Sequence, residues 1–507
     1  MGGAGMTGNA GTMGSAGTTG SAGNGPGDAG TTGMAGDSGA AGTGGSVSTA
    51  GTTGSAGRGG TTGMAGNGNA GRGGTTGMAG TTGMAGTTGS GGSASCTFTQ
   101  SSALSTMIST VGIVTWSTTL ANATTAKIDF GLTTSYGMTA PIDAVTSSNR
   151  TLLLGMKASK MYHYRITATS SGGSCQSGDY TIMTGALKSG LMKPTLAPTT
   201  ATGLTGGFLI TGQYLQTSGA GATAYILDAD GDYVWWFGIG RDVTGARMSY
   251  DGTHMWINAA NVPDTQGAAV HRVTMDGMMD ENLTTQFTGM NHQLTVLPDE
   301  TVAFYAYGSN GCDDLKERSP SGTVKTVVNS KTALKISDTM CHLNTVQYSK
   351  DDDSLVFSNL QSSQIAKVKR SDGSTTWILN GSTATITGIS WTGGNHGIHL
   401  LGVDHLLIFN NNNGGSNGGG SNVFEFMLNL TAKTGTKVWT YTANPIQPNM
   451  IMGDIQRMPN GNTIVGYSTR GVLHEVNASG TVLQTWTFGN SFGYIEKRAS
   501  LYGPPPK

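Results

Sequence analysis

Six glycine-bearing hairpin turns recur at intervals of roughly 45 to 60 residues through the C-terminal part of the chain, and a period of that length admits few folds. They are Asp228-Ala229-Asp230-Gly231, Met275-Asp276-Gly277, Pro320-Ser321-Gly322, Ser371-Asp372-Gly373, Lys433-Thr434-Gly435 and Ala478-Ser479-Gly480. Each turn lies between a strand and an apolar or Trp-bearing strand, with Trp235-Trp236, Trp377, Trp439 and Trp486 following four of them. Units of that length holding several strands predict propeller blades, so residues 206–507 are expected to form a six-bladed β-propeller with tryptophans packed between blades. The fold class is all-β. With 83 Gly and only 11% charged residues, the composition favours turn-rich sheet over helices laced with ion pairs.

Three shorter stretches precede that period. Residues 1–95 form a Gly/Thr/Ala/Met-rich segment in which Thr-Thr-Gly-Met-Ala-Gly repeats, as at 61–66 and 75–80. It lacks the large apolar side chains needed for a core, and Pro26 is its only imino acid, too few for a collagen helix. A spacer is the expectation, with packed extended Gly-rich helices as the alternative. Residues 96–185 change to short strands at intervals of roughly ten residues, at Gly112 to Trp116, Ala126 to Gly131, Arg150 to Leu154 and Tyr162 to Thr167, which indicates a small β-sandwich. Trp116, Phe130-Gly131 and Tyr162-x-Tyr164-Arg165 resemble a fibronectin type III module. His163, alternating with tyrosines, is expected on the surface. Residues 186–205 read as a linker.

The formal net charge of −1 excludes electrostatic binding to nucleic acid or anionic membrane as the main theme. No apolar run approaches the roughly 20 residues of a transmembrane helix. Four cysteines fall two to a segment, Cys96 with Cys175 and Cys312 with Cys341, so each segment can close its own disulfide. That pattern suggests export, to the periplasm, the cell surface or the medium, although no signal peptide is visible; four reduced thiols are the alternative.

Three of the nine histidines, His292, His342 and His396, stand at starts of apolar strands about one repeat apart. In a propeller, equivalent places on different blades converge at one axial cavity, so these side chains are expected to meet. A neutral imidazole is a competent nucleophile near neutral pH, and a neighbouring protonated one can donate to a leaving oxygen. His399 and His405, beside the same strand as His396, are expected to be structural. Asp228-x-Asp230-x-Asp232 opens like a calcium loop but lacks the distal Glu, so it is read as an acidic turn, and neither metal nor cofactor is expected. The Asn/Gly/Ser run from Asn410 to Asn422 reads as a mobile loop, a lid or a solvated insertion.

An ordered series of blocks between about residues 190 and 490 resembles the bacterial arylsulfate sulfotransferase family. The blocks are Cys341-His342-Leu343-Asn344-Thr345-Val346, Leu355 to Leu360, Ile365 to Arg370, Trp377 to Gly381, Asn395-His396, Leu406 to Asn411, Val423 to Phe426, Val438 to Tyr441, and Gly453 to Thr463. The resemblance implies a six-bladed propeller behind an N-terminal β-sandwich. It further implies transfer of a sulfuryl group from an aryl sulfate to a phenol by a ping-pong cycle, without the nucleotide donor PAPS. The position matching the family's nucleophile, which becomes a sulfohistidine, is His396. His292 and His342 match the two histidines that bind the sulfate oxygens and assist the leaving phenol, with Asn344 beside them at the substrate.

One position departs from the family pattern. An arginine of its Ser-x-Arg turn is replaced by Leu360, in Ser358-Asn359-Leu360, and a leucine cannot fork onto sulfate oxygens. Asn359, Gln361, Arg241, Arg247 and Arg272 are the substitutes considered. Two other readings stay open: a non-catalytic extracellular binding propeller on a Gly-rich stalk, which Leu360 favours, and self-association of the Gly-rich segment into a fibre.

Overall fold

Alternation of buried and exposed residues sets the first layer pair. In Gly112–Thr118 the side chains of Val114 and Trp116 turn inward, and in Thr125–Gly131 those of Ala126, Ile128 and Phe130 do, as the two-residue period of a half-buried strand requires. The computed structural model describes residues 95–215, 222–259, 267–308, 310–337, 341–412 and 420–505. The expectations for the Gly-rich segment, and most of those for the Asn/Gly/Ser loop, fall outside the described residues.

The sandwich pairs a three-stranded sheet (Phe98–Leu104, Gly112–Thr118, Asn149–Leu153) with a five-stranded one built from Met138–Ile142, Thr125–Gly131, Met161–Ser170, Gly173–Gln176 and Tyr180–Met183. Cys96 and Cys175 form a disulfide in this part, with Cα atoms 6.2 Å apart. His163 lies on its surface, hydrogen-bonded through Nδ1 to Asp179 at 2.7 Å.

Six further antiparallel sheets follow. Blade one holds Phe208–Gly212, Thr223–Leu227 and Tyr233–Gly238, and blade two begins at Gly245–Met248. Blades three, four, five and six begin at Met290–Val296, Leu343–Ser349, Asn395–Leu400 and Asp454–Arg457. These leading strands lie beside one another in order, from blade two to blade six, around an axis. Closure comes from the chain's end, because Glu496–Arg498 adds to blade one along Phe208–Gly212. Gln456 of blade six then exchanges two hydrogen bonds with the Lys497 backbone, at 2.9 and 2.7 Å. The all-β, six-bladed architecture is thus as expected.

Two details differ from the sequence reading. The stretch read as a linker supplies a strand, Thr195–Leu196, which covers the outer edge of blade six by pairing with Trp486 and Thr487. Glycine takes the left-handed position in five of the six turns, at Gly231, Gly277, Gly322, Gly373 and Gly480. In the remaining turn Lys433 adopts it (φ 54°), and Gly435 lies inside the strand Thr434–Thr442. Gly435 instead allows a close approach, since a Cβ there would stand 3.0 Å from Ile389.

Tryptophans 235, 236, 377 and 486 are buried as expected, whereas Trp439 is partly exposed beneath the Arg457 guanidinium, 5.4 Å from the ring centroid. The sandwich docks on blades one and two at the face that carries the turns. Lys157 Nζ lies 3.2, 2.6 and 2.8 Å from carboxylates of Asp228, Asp230 and Asp232. An ammonium therefore occupies the space between these three acids, in keeping with the acidic-turn reading. Arg150 reaches Asp276 at 2.5 Å, and Thr110 donates to the Val234 carbonyl at 2.8 Å.

Candidate active site

Where the three histidines sit, the strand ladder is broken. Pairing of the leading strand with its neighbour shifts register between Met290 and Leu294 in blade three, Leu343 and Thr345 in blade four, and Asn395 and Ile398 in blade five. Blades two and six pair their leading strands without a shift. A β-bulge places an extra residue in one strand and re-aims side chains that would otherwise alternate across the sheet. His292 falls in the first bulge with a left-handed backbone (φ 45°), Asn344 in the second, and His396 with Gly397 in the third. Gly397 is required, because a Cβ would come within 2.7 Å of Asp454 Cα.

At this end of the leading strands imidazoles from three blades come together. His292 Nε2 lies 3.4 Å from His342 Nε2, with ring centroids 4.7 Å apart, and the His292 and His396 centroids are 5.9 Å apart. His396 is only 1% exposed and His292 6%, while His342 is partly open. Burial depresses all three basicities. It pulls His396 down to about 3, offset in part by the Asn411 contact and deepened by His342. Burial, then His342 and His396, hold His292 well below the usual value, and burial lowers His342. The cluster is therefore uncharged at neutral pH, with lone pairs available.

The surroundings fix the backbone of the site. His342 N–H donates to Asn359 Oδ1 at 2.9 Å, and Leu360 N–H donates to the His342 carbonyl at 2.8 Å. Asn258 Nδ2 donates to the His292 carbonyl at 2.7 Å, and Asn344 Nδ2 to that of Asn395 at 2.8 Å. The Tyr494 hydroxyl donates to the Asn344 carbonyl at 2.6 Å, from a buried cluster with Tyr214 and Met452. Blades one and four are opposite in a ring of six, so Tyr494, just ahead of the closing strand of blade one, reaches across to blade four. Cys341, next to His342, is bridged to Cys312, with Cα atoms 4.5 Å apart.

Residues 337–496 match the family model described as Arylsulfotransferase (ASST). This stretch is similar to the ASST family. It spans blades four to six and carries His342, Asn344, Leu360 and His396, whereas His292 lies before it. A comparison of the sequence with curated proteins gives no match. Among solved structures, TolB from Acinetobacter baumannii is similar at 12% identity over 68% of this chain and 80% of its own, with a TM-score of 0.42. The β-propeller domain of Myceliophteria thermophila Cps50 (Swd1) is similar at 8% identity over 54% and 82%, with a TM-score of 0.36. A streptogramin B lyase is similar at 13% identity over 48% and 67%, with a TM-score of 0.32.

Within the ASST-like segment, Leu360 stands beside the cluster. Its Cδ1 lies 2.0 Å from where a Cβ on Gly394 would be, so its side chain covers the backbone two residues before His396. Of the arginines weighed as substitutes, Arg247 binds Asp454 (3.3 Å) and the Ile495 carbonyl (2.5 Å), and Arg272 pairs with Glu281 (3.3 Å). Arg241 donates to the Gly267 carbonyl at 2.5 Å. Asn359 does reach the site, through the His342 backbone. His399 and His405 lie away from the cluster, bonded to the Arg457 N–H (2.9 Å) and to Glu425 (2.7 Å).

The sequence reading missed Asn411. Its Oδ1 is 2.6 Å from His396 Nδ1, and the residue is 1% exposed. The available signal was its place directly after the apolar strand His405–Asn410, where it had been counted with the loop.

Proposed function

We propose that this protein is an arylsulfate sulfotransferase working through a sulfohistidine at His396. The observation that carries the reading is the meeting of three uncharged imidazoles from three blades within an ASST-like fold. A nitrogen lone pair of His396 forms the N–S bond as the S–O bond to the aryl oxygen breaks. The leaving oxygen takes a proton from His342 or His292, which gains it as the sulfate's negative charge enters and raises their basicity. In the return half, the acceptor phenol gives its proton to the imidazole left neutral and attacks sulfur, and the N–S bond breaks. Asn344, whose Oδ1 has no hydrogen-bond partner among the described residues, is placed to accept from the hydroxyl of a phenol. Two disulfides fit an oxidising compartment, and we place the protein in the periplasm or at the cell surface. Among the described residues no helix is long and apolar enough to cross a membrane.

The test is incubation with 4-methylumbelliferyl sulfate and a phenol, with mass spectrometry for a sulfuryl adduct on His396. Absence of release above a His396→Ala background defeats the proposal. One observation favours a second reading, a ligand-binding propeller without turnover: Leu360 presents methyl groups where the family has a guanidinium. Binding of the aryl sulfate with neither adduct nor release would select it.

A further inference from the structure

The side-chain amide of Asn411 can face His396 in only one sense. Its Nδ2 donates to two backbone carbonyls, those of Asn449 and Met452, each at 2.9 Å, and carbonyl oxygens only accept. Oδ1 is thereby the atom left facing His396 Nδ1 at 2.6 Å. An amide oxygen also only accepts, so Nδ1 must carry the ring proton.

Asn449 makes the arrangement rigid. It is fully buried, donates through Nδ2 to the Ile451 and Met452 carbonyls at 2.9 Å, and accepts through Oδ1 from the Thr469 N–H and hydroxyl at 2.9 and 2.7 Å. Its own N–H donates to Ser421 Oγ at 3.0 Å. The amide beside His292 is placed differently. Asn291 Oδ1 contacts His292 Nδ1, but Asn291 Nδ2 is buried without a partner, so nothing there selects which amide atom faces the ring.

From this asymmetry we infer that Asn411 is a positioning residue that holds the proton of His396 on Nδ1 and leaves the Nε2 lone pair as the nucleophile, while the His292 proton stays free to move between ring nitrogens. The inference rests on the proposed transferase reading for its catalytic meaning, but not for the tautomer itself. As Nε2 bonds to sulfur the ring gains positive charge, and the Nδ1–H to Oδ1 bond strengthens with it. A hydrogen bond to a group that becomes charged is worth about tenfold to a hundredfold in rate. The proton on Nδ1 is not transferred during the cycle. The proton for the leaving phenol comes from His292 or His342.

The experiment is long-range proton–nitrogen NMR on full-length protein labelled with 15N-histidine, with His396 assigned by its loss in His396→Gln, beside adduct kinetics. In the wild type, Nδ1 of His396 is expected to be protonated and Nε2 to be a lone-pair nitrogen. Asn411→Ala is expected to mix the two tautomers and slow adduct formation about tenfold to a hundredfold, with KM changed less than about threefold. The wild-type tautomer is read with Asn411 in place, so the test stands even if the alanine variant fails to fold. A wild-type His396 protonated on Nε2, or an Asn411→Ala spectrum identical to wild type, overturns the inference. The predicted spectrum without any adduct would instead defeat the transferase reading and leave the tautomer standing.

Discussion

His396 and His399 lie three residues apart on one strand, yet they serve opposite mouths of the propeller axis that differ in how fully they are paired. At the His399 mouth, Arg247 binds Asp454 and the Ile495 carbonyl, and Asp454 also accepts from the Ile455 and Ile495 N–H groups, each at 3.0 Å. His399 Nδ1 accepts from Arg457, and Gln456 is held by Lys497. That mouth opens into a cavity of about 470 Å³. Around His396 and His292, by contrast, Asn291 Nδ2, Gln293 Oε1, Asn344 Oδ1 and Asn395 Nδ2 are buried without partners among the described residues. Buried polar groups in folded proteins are overwhelmingly paired, so a concentration of unpaired ones marks where a ligand completes the structure. Unused hydrogen-bonding capacity, rather than empty volume, is what sets the candidate site apart from the other mouth.

The contrast breaks most visibly at His396. His396→Ala is expected to lower adduct formation at least about a thousandfold, as loss of a nucleophile does, while leaving the propeller folded. Circular dichroism beside mass spectrometry checks both halves. Leu360→Arg should move the other way, raising turnover up to about a hundredfold by placing a guanidinium against sulfate oxygens. A steady-state assay showing no gain would mean that this mouth works without the family's arginine.

Gly397→Ala should damage both mouths together, because its Cβ would collide with Asp454. Overpacking of this kind costs about 1–3 kcal/mol, readable as a shift in denaturant midpoint. Acid should act through buried histidines at both mouths, since burial also pulls His399 down to about 4, and His396 shows the larger shift. The folded-state value of His396 is about 3 against 6.5 for the free side chain, with burial as the leading cause. Between those values the unfolded chain binds a proton that the folded chain does not, so stability is complete above pH 6.5 and falls as pH drops toward 3. His396→Asn should flatten that part of a melting-temperature profile. The smallest effect is predicted for His399→Leu, which removes the acceptor of one backbone N–H at about 1 kcal/mol of stability and leaves adduct formation within about threefold.

Much of the fold was legible in the chain because it depends on local chemistry. Glycines at five of six turns, inward alternation at Val114, Trp116, Ile128 and Phe130, and cysteines confined pairwise to separate segments all act over short range or follow from simple counting. The strand Thr195–Leu196 was illegible because a two-residue edge strand has no periodicity; only the exposed flank of blade six gives it a partner. Lys433 took a position expected of glycine, while Gly435 lies against Ile389, a contact from a distant segment. In the site, His292, His342 and His396 were legible as strand-start histidines one repeat apart. Asn411 was not, since its importance depends on which carbonyls its amide meets.

The sequence by itself determined that six similar units would form and that three of them would begin with a histidine, because turn preference and strand alternation are written residue by residue. Tertiary structure decided which atoms those histidines present. Register shifts at His292 and His396 re-aim those two side chains, and the Asn411 amide is oriented by the Asn449 and Met452 carbonyls brought in from the approach to the next blade. A hydrogen bond's direction depends on where both partners lie, and that position exists only once the ring has closed.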